Sequence, residues 1–405
     1  MSRISVLGLD GGILDRGAEA LVREAVLVVG GRRHLGELGV EPERSAPLVG
    51  DLSEALGRIG ETEGAVVVLA SGDPGFFGIV RILGERFGRE NLRVLPGRSS
   101  VALAFARAGL HWDDAVVVSA HGREPRRAVN VCRAHPKVAV LTSPGFGPAD
   151  LARSLEGWGR SLFVAEALGG DEERVFDGDA ATVARMEWRD PNVVIAIDEG
   201  RGTVGKGWIS SGMGSPGRWA LPEEDFEHRS GMITKGEIRA AVLARLGPGP
   251  GDLVWDVGAG SGSVAIECAR LGAAAVAVER EAESSERVRN NAARHGACVR
   301  VVEGEAPEAL RDLPEPDAVF IGGTGAYFEE IVKLSAVAAR RAVVLTLITL
   351  ERVVPAAEIL AGCGLEVETT LLQASKVKGV GSMHRLVPEA PVFVVSGHRG
   401  EVVEA

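Results

Sequence analysis

From Ile4 to about Glu199 short apolar runs alternate with amphipathic stretches: ISVLGL, VLVVG, AVVVLASGD and LRVLPG, then AVVVSAHG, KVAVLTSPG and VVIAIDEG. Strand-length apolar runs separated by helical patterns predict a largely parallel sheet, with ligands bound beyond the strands' C-terminal ends. The stretch GLHWDD, 109–114, divides this region into two lobes. From Gly200 to Gly231 the chain is rich in glycine, serine and charge and keeps no period of 2 or 3.6, which predicts an interdomain connection. Beyond it KGEIRAAVLARLG has helical spacing, and DLVWDVGAG, AAVAVE, CVRVVEG, DAVFIGG, AVVLTLIT and LEVETTLL read as strands with helices between them. The pattern therefore predicts two different α/β domains, residues 1–200 in two lobes split near 112 and residues 232–405, joined by a linker over 201–231.

Composition narrows the class. Hydrophobic residues make up 45% and charged residues 25% of the 405, with 54 glycines and 4% aromatics, the profile of a compact α/β protein with many tight turns. A formal net charge of -11 argues against a general grip on nucleic acid or an anionic membrane, both of which need a basic face. Cys132, Cys268, Cys298 and Cys363 form no CxxC pair and have no histidine at ligand spacing, so neither a metal site nor a disulfide framework is expected. MSRISVLGLDGG reads as a first strand and a glycine turn, without the apolar segment of a signal peptide or membrane span; a soluble, cytoplasmic protein is expected, with homo-oligomerisation open.

VWDVGAGSGSVAIE, 254–267, is a strand, a glycine turn and a helix. Glycines let a ligand approach the backbone, and the free amides of the helix start favour a carboxylate or phosphate. Glu279 closes the next strand, where an acidic residue accepts the ribose hydroxyls of a nucleoside. Dinucleotide enzymes and methyltransferases share this geometry, but a pyrophosphate site usually reads GxGxxG, whereas Gly258, Gly260 and Gly262 form GxGxG behind Asp256. That motif resembles the first motif of class I methyltransferases, Rossmann-like enzymes that use S-adenosylmethionine. The resemblance implies that Gly304, Glu305 and Ala306 after the third strand lie by the adenine, and Gly322 after the fourth next to the reacting methyl.

The earlier loop ASGDPGFFGI places Ser71, Gly72 and Asp73 at a strand end, followed by Pro74 and a helix bearing Phe76 and Phe77, with Asp73 as its cap. With LPGRSSVALAFARAGL, which holds Ser99 and Ser100, it resembles the GDP and PGxSS motifs of the tetrapyrrole methylases, a bilobal fold that also uses S-adenosylmethionine. Gly8 opens the first loop, which reads GLDGG here where that family commonly has GxGPG. A tetrapyrrole methylase joined to a class I methyltransferase resembles the decarboxylating precorrin-6Y methyltransferases of cobalamin biosynthesis. HRSGMITKGEIRAAVLARLGPGPGDLVWDVGAGSGSVAIECA and LLQASKVKGVGSMHRLVPEAPVFV extend the likeness across the chain. It implies one S-adenosylmethionine site per domain and no metal. The substrate it implies is a reduced tetrapyrrole with many carboxylate chains, methylated at meso carbons 5 and 15 while the acetate on ring carbon 12 leaves as carbon dioxide.

Such a substrate needs cations in an otherwise acidic protein. The C-terminal loop SKVKGVGSMHRL offers Lys376, Lys378 and Arg385, as substrate ligands or solvated charges, and His384, as proton donor, carboxylate ligand or structural group. Lys235 either reaches the substrate or bridges locally; His121 and Arg123, at a strand end, suit carboxylate recognition, or His121 is a satisfied loop histidine. Tyr327, the only tyrosine, follows the GGTG loop as a second candidate for proton transfer, or covers a core edge. Two rival readings stand: a class I methyltransferase for RNA or protein, which leaves the N-terminal half without a role, and a non-catalytic nucleoside-binding protein.

Overall fold

A computed structural model describes residues 4–12, 14–48, 52–121, 124–201, 217–229 and 233–400. The chain divides into two compact units, one made of residues 1–123, 139–153 and 161–197, the other of 124–138, 154–160 and 198–405. Among the described residues no helix is long and apolar enough to cross a membrane.

In the first unit β1 (Ile4–Leu9), β2 (Leu27–Gly30), β3 (Ser45–Pro47), β4 (Val66–Ser71) and β5 (Leu92–Leu95) pair in the order β3-β2-β4-β1-β5. Every pairing is parallel. The reason the apolar runs are unbroken is visible in the packing. Ile4, Val6, Val66 and Val68 pack with Ala55, Leu56 and Ile59 on one face, while Leu7, Val67 and Leu69 pack with Ala18, Val22 and Leu35 on the other.

The second sheet of this unit departs from the expected parallel arrangement. β6 (Val116–Ser119), β7 (Lys137–Leu141), β8 (Ser161–Glu166), β9 (Arg174–Asp179) and β10 (Asn192–Ile197) run in the order β6-β7-β10-β8-β9, and the β10–β8 and β8–β9 pairings are antiparallel. β9, RVFDGD, is an edge strand with no fully buried residue, so it carries no apolar run to announce it.

In the second unit β11 (Leu253–Val257), β12 (Ala274–Glu279), β13 (Val299–Glu303), β14 (Ala318–Ile321), β15 (Ala342–Leu347), β16 (Glu366–Leu372) and β19 (Val392–His398) form one sheet, ordered β13-β12-β11-β14-β15-β19-β16. The first five strands pair in parallel and β19 runs antiparallel to both neighbours. This is a Rossmann-type order with one extra reversed strand slotted between the last two, and its direction switches between β11 and β14. The segment expected to be a loop, SKVKGVGSMHRL, is instead a two-stranded antiparallel ribbon, β17 (Ser375–Val380) with β18 (Met383–Pro388). Its charged positions hid a strand period because nearly all of its side chains face solvent.

Part of the expected linker, 202–216 and 230–231, lies outside the described residues; the rest is structured. Leu221 and Phe226 are buried against Ile266 and Ala292. Arg239, fully buried on the helix Gly236–Leu246, donates to the Thr234 carbonyl at 2.6 Å and to the Leu221 carbonyl, and its guanidinium lies 4.8 Å from the centre of the Phe226 ring. The buried carboxylate of Glu267 accepts the Leu221 amide at 2.7 Å and stands 3.7 Å from Arg239. Isolated apolar residues, each anchored separately, give no periodicity, so the segment reads as a linker although residues 217–229 are docked.

Candidate functional site

The second unit carries a cavity of about 740 Å³ at the C-terminal ends of its parallel strands, where the strand order reverses. Gly258 ends β11 with φ +71°, and a Cβ there would stand 2.6 Å from the Gly323 carbonyl beyond β14, so only glycine lets the two loops meet. Gly260 is different. It lines the cavity with φ +56° and nothing within 4 Å of the place its Cβ would occupy, which leaves open space for a ligand against the backbone.

Four amides of the glycine turn are engaged within the fold. Gly258 and Ala259 donate to the Val278 carbonyl at 2.9 and 3.2 Å, Gly262 to the Ala259 carbonyl at 2.8 Å, and Gly260 to Glu279 Oε2 at 2.9 Å. A pyrophosphate cradle needs such donors pointing outward, so this turn suits a nucleoside better than a dinucleotide. Glu279 also accepts the amides of Arg280 at 2.9 Å and Glu281 at 3.1 Å. Three amides on about four lone-pair sites leave the carboxylate poised, with roughly one acceptor position for a ribose hydroxyl.

Asp256 is the most perturbed group on the wall. Its Oδ2 accepts the Ala265 amide at 2.9 Å, while its buried Oδ1 has no hydrogen-bond partner. Burial pushes this carboxyl from 3.8 up to about 7, against the Ala265 hydrogen bond and helped by the charge of Glu279. A raised folded value means that the unfolded chain releases its proton first as pH climbs. Stability is therefore lost between about pH 4 and 7 and levels off above. In Asp256→Asn this slope is expected to vanish, with a gain over the parent of up to about 4 kcal/mol at pH 8; urea unfolding at pH 4.5, 6 and 8 reads it directly, and parallel curves would refute it.

The cavity brings together Lys235, Asp256, Gly258, Gly260, Glu279, Gly304, Glu305, Ala306 and Gly322 of the expected site. Gly262, with φ +72° and only 2.6 Å between its would-be Cβ and Val288, starts the helix Ser263–Arg270 behind the wall. Lys235 and Lys376 both bind Glu223, and Lys376 also reaches Glu389 at 3.0 Å, so both meet carboxylates of the chain itself. These carboxylates raise the Lys376 ammonium above its usual value. Lys378 and Arg385 face each other directly across the ribbon, as do Gly379 and His384, and these ribbon residues are solvent-exposed and line no part of the cavity. Tyr327 precedes the helix Phe328–Ala338 and is 45% exposed, off the wall.

Arg352 was missed from the sequence. It lines the cavity, donates to Thr324 Oγ1 at 2.8 Å and to the Gly325 carbonyl at 3.1 Å, and lies 5.2 Å from the centre of the Phe328 ring. These acceptors are neutral, whereas the other wall arginine, Arg280, pairs with Glu305 at 3.4 Å. Its position on a helix after β15, far from the glycine motifs, left no local signal.

In the first unit Gly8, Gly72 and Gly97 converge beyond β1, β4 and β5. A Cβ on Gly8 would stand 2.2 Å from both the Gly72 carbonyl and the Gly97 amide, and the Gly72 amide donates to the Leu9 carbonyl at 2.6 Å. Ser99 caps the helix Ser100–Ala108 through the Ala102 amide. The helix after Pro74, however, begins only at Val80. Asp73 accepts the Gly75 amide at 2.8 Å in a tight turn, and Phe76 packs against the core of the second sheet from that turn, beside Phe77 at φ +53°. Asp10 and Gly11 fill the departing first loop: Asp10 is held by Arg98 at 2.7 Å, which keeps its carboxyl well below the usual range, and Gly11, at φ +79°, abuts the Gly169 carbonyl. His121 lies in an exposed turn after β6, and Arg123 is outside the described residues.

Comparison with known proteins adds to this geometry. The family described as tetrapyrrole (corrin/porphyrin) methylases matches residues 16–184, and the precorrin methyltransferase domain matches residues 224–399. A precorrin-6Y C(5,15)-methyltransferase [decarboxylating] of a Sinorhizobium species is 41% identical over 344 residues, which is 80% of this chain and 78% of that protein. A probable cobalt-precorrin-6B C(15)-methyltransferase (decarboxylating) of Pyrobaculum calidifontis is 31% identical over 44% of this chain and 95% of its own length. A cobalt-precorrin-7 C(5)-methyltransferase of Salmonella typhimurium is 34% identical over 44% of this chain and 89% of its own.

Proposed function

This chain belongs to the decarboxylating precorrin-6Y C5,15-methyltransferases, and from that membership we propose how its residues divide the work. The enzyme uses S-adenosylmethionine to methylate a precorrin at carbons 5 and 15 and releases carbon dioxide from it, a step of cobalamin biosynthesis. We assign one donor site to each domain, residues 1–200 and 232–405, with 201–231 between them.

The observation that carries this reading is the second-unit cavity, in which open space at Gly260, the poised carboxylate of Glu279 and the unpartnered Oδ1 of Asp256 meet. The sulfonium of the donor supplies an already activated methyl, so the protein's task is alignment and exclusion of water. Glu279 takes a ribose hydroxyl, Asp256 Oδ1 accepts a donor hydrogen from the ligand, and Gly304 to Ala306 floor the base. Arg352 holds a substrate carboxylate other than the one lost, because a guanidinium on the departing carboxylate would stabilise it against leaving. Lys378 and Arg385, like charges directly opposed across the ribbon, are relieved by a second carboxylate of the substrate. Lys235 is available once Glu223 yields it, and Lys376 once Glu223 and Glu389 do. For the proton that replaces carbon dioxide we assign Tyr327 and His384 as the groups to be separated by substitution. In the first unit Gly8, Ser71, Gly72, Asp73, Phe76, Ser99 and Ser100 frame the second donor site, and His121 and Arg123 are assigned to substrate carboxylates.

Calorimetric titration with S-adenosylhomocysteine tests the division. Two sites per chain are expected, one of them lost in Asp73→Ala; a single site in the parent protein would overturn it.

A further inference from the structure

Three side chains meet behind the first unit's loops, and two of them, His34 and Glu37, have no part in the donor site. His34, on the helix Arg32–Glu37 that follows β2, is 6% exposed. Its Nε2 lies 2.8 Å from Ser71 Oγ and its Nδ1 3.3 Å from Glu37 Oε2. With Nδ1 turned to a carboxylate, that nitrogen carries the hydrogen, and Nε2 accepts from the Ser71 hydroxyl. Ser71 itself is exposed at the end of β4, one residue before Gly72. A hydroxyl at a strand end, backed by a buried imidazole that is in turn oriented by an acid, is the arrangement by which proteins move a proton at an exposed oxygen.

We propose that Ser71, His34 and Glu37 form a proton relay serving methyl transfer in the first unit, Ser71 meeting the substrate and His34 acting behind it as a positioning residue. The relay rests on the reading that this unit has its own donor site. When an enamine-like meso carbon attacks the methyl, the new C–C bond takes the carbon's electron pair. The C–S pair stays on sulfur, which becomes a neutral thioether, and the positive charge passes to the macrocycle. Neutrality returns when the macrocycle sheds one proton. Ser71 Oγ accepts it while giving its own to His34 Nε2, the Glu37 carboxylate faces the imidazolium, and the proton then leaves to water.

The electrostatics agree with an acceptor. Burial, first, and Arg33 lower the His34 value below 6.5, while Glu37 opposes them, so the imidazole is neutral near pH 7. Glu37 and Arg33 are the charged groups that act on it, and β4 presents only the neutral Ser71 hydroxyl.

The test follows methyl transfer to a precorrin substrate by mass spectrometry in full-length protein, with Asp73→Ala identifying the methyl that depends on the first unit. In Ser71→Ala and His34→Gln that methyl is expected to be added at least about 100-fold more slowly, while the other methyl and, in His34→Gln, both S-adenosylhomocysteine affinities stay as in the parent. The parent's rate should fall as pH drops through the depressed His34 value, and this limb should disappear in His34→Gln. Unchanged rates and an unchanged acid limb in both variants would overturn the relay, as would an equal loss of donor affinity in His34→Gln. Should His34→Gln fail to fold, Ser71→Ala decides at saturating S-adenosylmethionine, where a weakened donor contact no longer limits the rate. If Asp73→Ala costs no methyl at all, the donor site of the first unit fails, which is a different result from failure of the relay.

Discussion

Glu279→Ala should bind S-adenosylhomocysteine about 100-fold more weakly at the second unit and with unchanged affinity at the first. The magnitude comes from the hydrogen bonds that disappear. A hydrogen bond to a charged acceptor contributes about 1.5–3 kcal/mol, so the ribose bond and the loosened turn together account for roughly a factor of 100. Glu279 has one bond to offer a ribose and three to the amides of Gly260, Arg280 and Glu281, so its loss both removes a ligand contact and unpins the turn. Glu279→Gln keeps an acceptor oxygen and should fall between the two. Titration calorimetry would show the stoichiometry dropping from two sites to one; equal weakening at both sites would defeat the assignment of separate donors.

Arg239→Met should lower the stability of the second unit by about 3–5 kcal/mol, because it strands the Thr234 and Leu221 carbonyls and leaves the fully buried Glu267 to Arg270 alone, at 3.1 Å. For a unit of this size that corresponds to a fall of roughly 10 °C or more in melting temperature. The attraction itself is long, at 3.7 Å, and Arg239 spends its donors chiefly on the Thr234 and Leu221 carbonyls. Methionine fills much the same volume but strands those carbonyls too. The double variant Arg239→Met with Glu267→Leu should recover part of the loss, since the buried carboxylate is then gone as well. Thermal unfolding followed by circular dichroism separates the cases, and a single variant as stable as the parent would show that the segment 217–229 is not held this way.

The parts of this molecule legible from the sequence are those whose signal is local. Ile4 to Leu9 or Leu253 to Val257 must be buried on both sides of a parallel sheet, and an unbroken apolar run says so. Gly258, Gly260 and Glu279 are bound to one another by the register of adjacent strands, so their spacing survives in the chain. β19 was not legible as the neighbour of β15 and β16, because nothing in Val392–His398 states which strands it will reverse against. His34 and Arg352 were missed for the same reason in side-chain form: Ser71 and Thr324, their partners, lie far away along the chain. The ribbon read as a loop because strand periodicity records burial, and the ribbon has almost none.

The first loop sets a constraint on how such a chain can change over time. Where the tetrapyrrole methylases commonly have proline, this chain has Gly11 at φ +79°, and proline is confined to about −65°. Reversion at that one position is closed. Even alanine would drive its methyl to 2.0 Å from the Gly169 carbonyl, and Gly169 in turn admits no side chain beside the Asp10 carbonyl at 2.1 Å. Asp10, for its part, is committed to Arg98. Four positions drawn from three stretches of chain thus form one epistatic block, to be exchanged together or not at all. A homologue with the common loop should differ at all four, and a chimera that grafts the loop alone should fail to assemble even though each of its residues is ordinary in its own background.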